Sequence, residues 1–390
     1  MAWLCRSLSL LLSTAVAGSL FLSGLPKAAY GAVPAVGTHA QASALIDVES
    51  GRLLHSSQGD KQLRIASLTK IMTAIVAIED GQLTDVVTTS KRAYAREGSS
   101  IYLQLGEKMT LLNLLYGLML RSGNDAATAI AEHVGGSEEG FVQLMNNKAE
   151  LIGLRHTQFR NPHGLDAEGH YSSANDLARL TAYALRNPIF SDIVRTKVKT
   201  APNPNDEWDY MWHNKNKMLS MYEGADGVKT GYTKLAFRCL VSSATRNGQR
   251  LAAVTINDGD DWADHRKLLD WGFQHYPLVS IADKGQAIAA YTLAAGNSFR
   301  YPLAESEKGE LKSTLILEEA MTTRYKLGYR GSLEWSIGET RIGTVPVYDA
   351  GSVRLQLPER RPLTLAALHH SDSPRFFADS LMDAMRALFR

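Results

Sequence analysis

Cysteine is almost absent from this chain. Among 390 residues only Cys5 and Cys239 carry a thiol. Cys5 falls in the N-terminal segment read below as a leader, so the mature protein would hold Cys239 alone. A lone thiol excludes an intrachain disulfide and a thiolate zinc site. Histidine is present, but no His-x-x-x-His pair brackets a glutamate, so the metalloprotease signature is missing and no metal is expected. A charge excess is missing too. The formal net charge is +2 without a basic tract, and nucleic acid is not an expected partner. No internal repeat or low-complexity tract occurs. After residue 32 no run is long and apolar enough to span a membrane. What remains is an ordinary globular composition, 45% hydrophobic and 21% charged, on a chain long enough for two domains.

The stretch that organises the chain is Ala66-Ser67-Leu68-Thr69-Lys70-Ile71-Met72-Thr73-Ala74. It reads as the start of a buried helix with Ser67 in the first turn. Ser67 and Lys70 are three apart and share a helix face. A serine hydroxyl is a weak nucleophile until a base takes its proton, and a neutral lysine can be that base. Burial and a second cation both favour the neutral amine. The continuation Ile71–Ile78 carries no charge before Glu79, which supplies the burial.

Two further motifs complete a site. Ser122-Gly123-Asn124 sits on a break between two helical runs. Its hydroxyl and amide suit proton transfer to a leaving amine and fixation of a substrate amide. Ser173-Ala174-Asn175 repeats the pattern, but there Ser173 reads as a helix cap. Lys229-Thr230-Gly231 follows in a strand. The lysine and hydroxyl form an anchor for a carboxylate. Gly231 lets a substrate backbone lie against the strand, and Lys229 is the second cation that Lys70 requires.

In this order the three motifs are the signature of β-lactamases and penicillin-binding proteins. The Ser-Gly-Asn variant, together with Asp226-Gly227-Val228-Lys229-Thr230-Gly231-Tyr232-Thr233, closely resembles the low-molecular-mass penicillin-binding proteins that are D-alanyl-D-alanine carboxypeptidases. Asn161-Pro162-His163-Gly164-Leu165-Asp166 and Tyr171-Ser172-Ser173-Ala174 extend the resemblance, which covers about residues 42–275. It implies that Ser67 attacks the carbonyl between two D-alanines, with Lys70 as base and Ser122 in proton transfer. Asn124 would hold the substrate amide, and Lys229 and Thr230 the terminal carboxylate. Backbone N–H groups of Ser67 and Tyr232 would hold the oxyanion. The implied partners are a peptidoglycan stem peptide ending in D-Ala-D-Ala and β-lactam antibiotics, with no cofactor. His163 and Asp166 read as loop structure beside the site.

One departure stands out. The family commonly places an arginine shortly before the helix that ends in Leu-x-Trp-Gly, where it helps hold the substrate carboxylate. Here that helix ends in Leu269-Asp270-Trp271-Gly272, but the preceding segment is Asn257-Asp258-Gly259-Asp260-Asp261-Trp262. Arg266 lies inside the expected helix, where Asp270 is its expected partner. Two competing readings remain, a serine β-lactamase and a catalytically inactive wall-binding protein. The first needs a deacylating base that the sequence does not supply; the second is opposed by the intact motifs.

The chain order gives the architecture. Residues 1–32 read as a secretory signal, with Arg6 before an apolar run and small residues at the end. This implies an exported protein at the cell wall or the outer face of the cytoplasmic membrane. Residues 33–279 begin with strands, pass through a helical block and return to strands. The expected fold is an α/β sandwich: an antiparallel sheet packed with helices, with an inserted helical subdomain, matching the transpeptidase fold that the resemblance implies. Residues 280–371 alternate with period two and read as a small all-β domain, most clearly at Val353–Leu357. Residues 372–390 are amphipathic, and Phe377, Leu381, Met385 and Leu388 over 374–390 predict a helix lying on the membrane surface.

Overall fold

The computed structural model describes residues 33–357. The leader and the amphipathic segment therefore lie outside the described residues. The main sheet has five antiparallel strands: β1 (Ala42–Asp47), β2 (Leu53–Ser57), β3 (Ala225–Thr233), β4 (Phe237–Arg246) and β5 (Gln249–Ile256). Their spatial order is β2-β1-β5-β4-β3. An N-terminal hairpin thus joins a C-terminal meander, and the chain between them forms the helical block. The β4–β5 connection is the two-residue Asn247-Gly248, with φ of +50° and +77°. Those left-handed angles give the turn whose twist matches the strands.

The sheet is buried on both faces, and side-chain alternation sorts its residues. Ala44, Ile46, Val241 and Val254 face a large core containing α1 (Lys70–Asp80), α2 (Asn124–Gly135), α3 (Glu138–Leu151) and α4 (Ala174–Leu185). Leu45, Leu240, Leu251 and Ala253 face Leu268 and Leu269 of α5 (Asp261–His275). This is the expected sandwich. Helix α1 is apolar on every side and is buried from Lys70 to Ile78. Ser173 caps α4 as expected, accepting the Asp176 N–H, and Ser137 caps α3 in the same way, accepting the Gly140 N–H.

Two expectations need correction. The run Leu111–Leu120 is not one α-helix. It is α-helical over Leu111–Tyr116 and then widens into a π turn, Gly117–Arg121, that ends at Ser122. Gly117 sits where a Cβ would lie 2.7 Å from Ile101 Cδ1, so the wide turn is locked by packing. Val353–Leu357 is not a strand. Val353–Leu355 is a 3₁₀ turn, in which the Ser352 hydroxyl accepts the Arg354 N–H. That local bond wins over a short alternation.

After α5 the described structure is mostly β, broken by helical turns at Glu305–Glu310 and Thr323–Lys326, with a sheet ordered Leu293–Ala295, Thr340–Asp349, Tyr329–Ile337, Leu311–Leu317. Trp335 stacks on Phe299 at its centre, 5.1 Å between ring centroids. Arg52, at the β1–β2 turn, joins this unit to the first. It donates to the Pro302 carbonyl at 2.7 Å, binds Glu307, and lies against the rings of Tyr276 and Tyr301.

Helix α5 approaches the sheet closely because of Gly272. A Cβ there would lie 2.6 Å from Leu45 Cδ2 and 2.7 Å from Leu251 Cδ1. Gly272→Ala is therefore expected to destabilise the protein by about 1–3 kcal/mol through overpacking, read as a lowered midpoint in urea unfolding.

Candidate active site

The chain enters the site through a strained corner. Ala66 is left-handed, with φ +47°. It opens a 3₁₀ turn, Ala66–Thr69, from which α1 continues. Ser67 thus stands on a tight turn just before the α-helix, rather than inside its first α-helical turn as the spacing predicts. The tighter 3₁₀ spacing still aligns Ser67 with Lys70, because residues three apart eclipse.

Lys70 is fully buried. Its Nζ lies 3.0 Å from Ser67 Oγ, 2.7 Å from Asn124 Oδ1 and 2.6 Å from the His163 carbonyl oxygen. Three oxygens also match the three N–H donors of an ammonium, so burial rather than this count sets the charge state. In the neutral amine, two N–H bonds go to the two carbonyl-type oxygens and the lone pair is left for the serine proton. Burial pushes the Lys70 ammonium well below its ordinary value. The Lys229 and Lys215 charges push the same way, and Asp125 opposes them.

Each partner of Lys70 is itself held. Asn124 Nδ2 donates to the Glu97 carbonyl at 2.7 Å, which turns Oδ1 towards Lys70. The 161–166 loop is folded by Asn161, whose Oδ1 accepts from Gly164 and whose Nδ2 donates to the Leu165 carbonyl. Gly164 has φ +86°, and a Cβ there would lie 2.0 Å from the Ala66 oxygen. The loop can press on the turn that carries Ser67 only with glycine at that place. The Thr73 hydroxyl donates to Pro162 O at 2.5 Å, and Asp166 accepts from Thr233 Oγ1 at 3.2 Å. His163 therefore meets the site through its backbone. Its buried ring accepts the Leu165 N–H, and burial holds its pKa low despite Glu138.

Ser122 is buried at the end of the π turn, with φ +66°. Lys229, Thr230, Gly231 and Tyr232 lie on β3, the edge strand. A Cβ on Gly231 would be 3.2 Å from Ser67 N and 3.3 Å from Ala66 Cβ, so glycine lets the strand end rest on the turn that carries Ser67. Lys229 is also fully buried. Its Nζ donates to the Thr230 carbonyl at 2.7 Å, and burial, then the Lys215 charge, lower its pKa to about 7. Thr230 is half-buried and Tyr232 is exposed.

Sequence reasoning missed three contributors. Asp125, next to Asn124, is buried and accepts N–H bonds from Ile101 and Leu103 and the Ser100 hydroxyl, fixing the loop opposite β3. Lys215, in a polar stretch between the helical block and β3, is a further cation near both site lysines. Arg238 on β4 pairs with Asp261. The expected pairing of Arg266 with Asp270 is not found. Asp270 instead accepts from Tyr222 Oη at 2.7 Å and Arg246 at 3.0 Å, both arriving from outside α5. Cys239 offers no competing nucleophile, because burial pushes its thiol up to about 12.

Comparison with known proteins decides the family. Residues 30–260, more than half the chain, match peptidase S11, D-alanyl-D-alanine carboxypeptidase. The chain belongs to that family of serine peptidases. It is 36% identical over 276 residues to the D-alanyl-D-alanine carboxypeptidase DacF of Bacillus subtilis, covering 69% of this chain and 71% of the relative. It is 34% identical over 324 residues to DacC of Escherichia coli, covering 78% and 79%. Penicillin-binding protein 5 from Haemophilus influenzae superposes with a TM-score of 0.68 at 28% identity, over 81% of this chain and 98% of that structure. The expected penicillin-binding-protein fold is therefore correct.

Within this family member, Lys229 carries a stability cost that pH reveals. Its folded pKa of about 7 lies below the ordinary 10.5, so between those values the unfolded chain binds the extra proton. Stability from this group therefore rises with pH across that window. Lys229→Met is expected to be more stable than the unaltered protein at pH 7. The difference should shrink as pH rises towards 10.5, read by urea unfolding at each pH.

Proposed function

We propose that this protein is an exported serine D-alanyl-D-alanine carboxypeptidase that removes the terminal D-alanine from peptidoglycan stem pentapeptides through an ester on Ser67. The observation that carries this reading is the buried Lys70 amine 3.0 Å from the Ser67 hydroxyl, with two oxygens already accepting its N–H bonds. Ser67 Oγ attacks the carbonyl carbon between the two D-alanines while its proton passes to Lys70 Nζ. The oxyanion gathers between the backbone N–H groups of Ser67 and Tyr232. The C–N bond breaks as Ser122 gives its proton to the leaving amine and takes back the one held by Lys70, and D-alanine departs with Lys70 neutral again. Asn124 holds the substrate amide, and Thr230, with Lys229 behind it, receives the carboxylate. Water then attacks the ester as Lys70 takes its proton, and Lys70 returns that proton to Ser67 Oγ as the ester C–O bond breaks, which restores Ser67. A β-lactam presents a strained amide to the same nucleophile, and its ring carbonyl forms the same ester.

The leader reading places this chemistry outside the cytoplasm, and the amphipathic stripe of residues 374–390 supports reversible attachment to the membrane surface. Removal of 374–390 is expected to move the mature protein from membrane to soluble fractions; unchanged fractionation contradicts the anchor.

Ser67→Ala is expected to abolish both D-alanine release and labelling by penicillin while the fold survives. Lys70→Ala is expected to slow acylation by about a hundredfold or more, the scale of a lost general base. Mass mapping of the penicillin adduct should find it on the Ser67 peptide. An adduct on Ser122 or Ser173 contradicts the assignment. The lifetime of the label separates the readings: a long-lived label marks a peptidase, rapid loss a β-lactamase, and no label an inactive wall-binding protein.

A further inference from the structure

We propose that Arg238, reaching from the neighbouring strand β4, is the permanent cation that receives the substrate's terminal carboxylate. This rests on the carboxypeptidase reading above and names a residue that determines its specificity.

The placement follows from register. Residues opposite each other on antiparallel strands share a sheet face, and successive residues alternate. Lys229 pairs with Val241 and Gly231 with Cys239, and these face α1 and Ser67. Thr230 pairs with Leu240 and Tyr232 with Arg238, which puts them on the opposite, α5 face. Thr230 and Arg238 are therefore diagonal neighbours on one face of the edge strand, within reach of a long side chain.

Arg238 is built into this position. Its Nε and Nη2 bind the two carboxylate oxygens of Asp261, at the N-terminus of α5. The Asp258 N–H donates to the Arg238 carbonyl at 3.0 Å, joining the loop to the strand. Asp261 is 6% exposed and Arg238 is 45% exposed, so the carboxylate is buried beneath a guanidinium that still meets solvent. The helix N-terminus favours the Asp261 anion independently of its partner. Of the other acidic groups in this segment, Asp264 is engaged by His39 and Asp258 by the Asp260 N–H. The guanidinium fork has five N–H donors, and the N–H groups of Nη1 are left over once Asp261 is bound.

Neither side chain of the Lys229-Thr230 pair supplies a permanent charge. Thr230 is neutral. Lys229 is buried and donates into its own strand, and its lowered pKa leaves it only partly charged at neutral pH. Arg266 is exposed and belongs to the body of α5. A guanidinium stays charged at every relevant pH and matches a carboxylate's geometry.

The experiment compares two substrates on the full-length protein. One is an acylated D-Ala-D-Ala peptide. The other is the matching N-acyl-D-alanine methyl ester, which acylates the same serine but carries no terminal carboxylate. Arg238→Gln is expected to lower kcat/KM for the peptide about 10- to 100-fold, mainly through KM, the scale of a lost charge-assisted bond. Ester turnover should stay within about twofold. Arg238→Lys, which keeps the charge and the Asp261 pair, is expected to recover part of the peptide rate and tests the same ratio if the Gln variant does not fold. If unaltered protein turns over both substrates but the variants slow both alike, or neither, the Arg238 assignment is wrong. If unaltered protein turns over the ester and not the peptide, the carboxypeptidase reading is wrong and this assignment falls with it.

Discussion

A lysine in a place that disfavours its charge is the constraint from which the rest of this structure follows. Lys70 enters the protein fully buried, with other lysines close by. Desolvation alone disfavours an ammonium there, and like charges add to the effect. An amine kept neutral needs its two N–H groups bonded, since an unmade buried bond costs about 1–3 kcal/mol. Asn124 and the His163 carbonyl make those bonds. The remaining lone pair has one neighbour, the Ser67 hydroxyl.

This constraint explains features that look unrelated in the chain. The helix below Lys70 is apolar on all sides because it must exclude water. Asn161 and Gly164 shape a loop whose purpose in the packing is to bring one carbonyl to Lys70. The π turn before Ser122 ends in a left-handed residue, which puts a hydroxyl and an amide on the same break. Gly231 lets the edge strand rest against the turn that carries Ser67. Several of these positions are backbone conformations or buried charges that lower stability, as expected where geometry serves chemistry.

Much of this was legible in the sequence because its signals are local. Ser67 and Lys70 are one turn apart, Ser122 and Asn124 mark a helix break, and Lys229 to Gly231 share one strand. The apolar run after Lys70 announced burial. What was not legible depends on pairing between distant segments. Only the β3–β4 register puts Arg238 opposite Tyr232, and only the approach of α5 gives it Asp261. Asp125 lies beside a motif residue, yet its bonds go to a loop more than twenty positions earlier. Lys215 sits in a polar stretch with no periodicity to fix its direction. Val353–Leu357 shows the converse: a short alternation carries little weight against one side-chain bond to the backbone.

The central claim is that Lys70 is an uncharged amine in the resting protein, and its own titration tests this most directly. The Lys70 Cε resonance, assigned by comparison with Lys70→Arg, can be followed by carbon-13 NMR in lysine-labelled protein. A midpoint well below the ordinary lysine value of about 10.4 is predicted, with Lys70 deprotonated where the enzyme is active. A midpoint at the ordinary value, shared with the exposed lysines, would contradict the account.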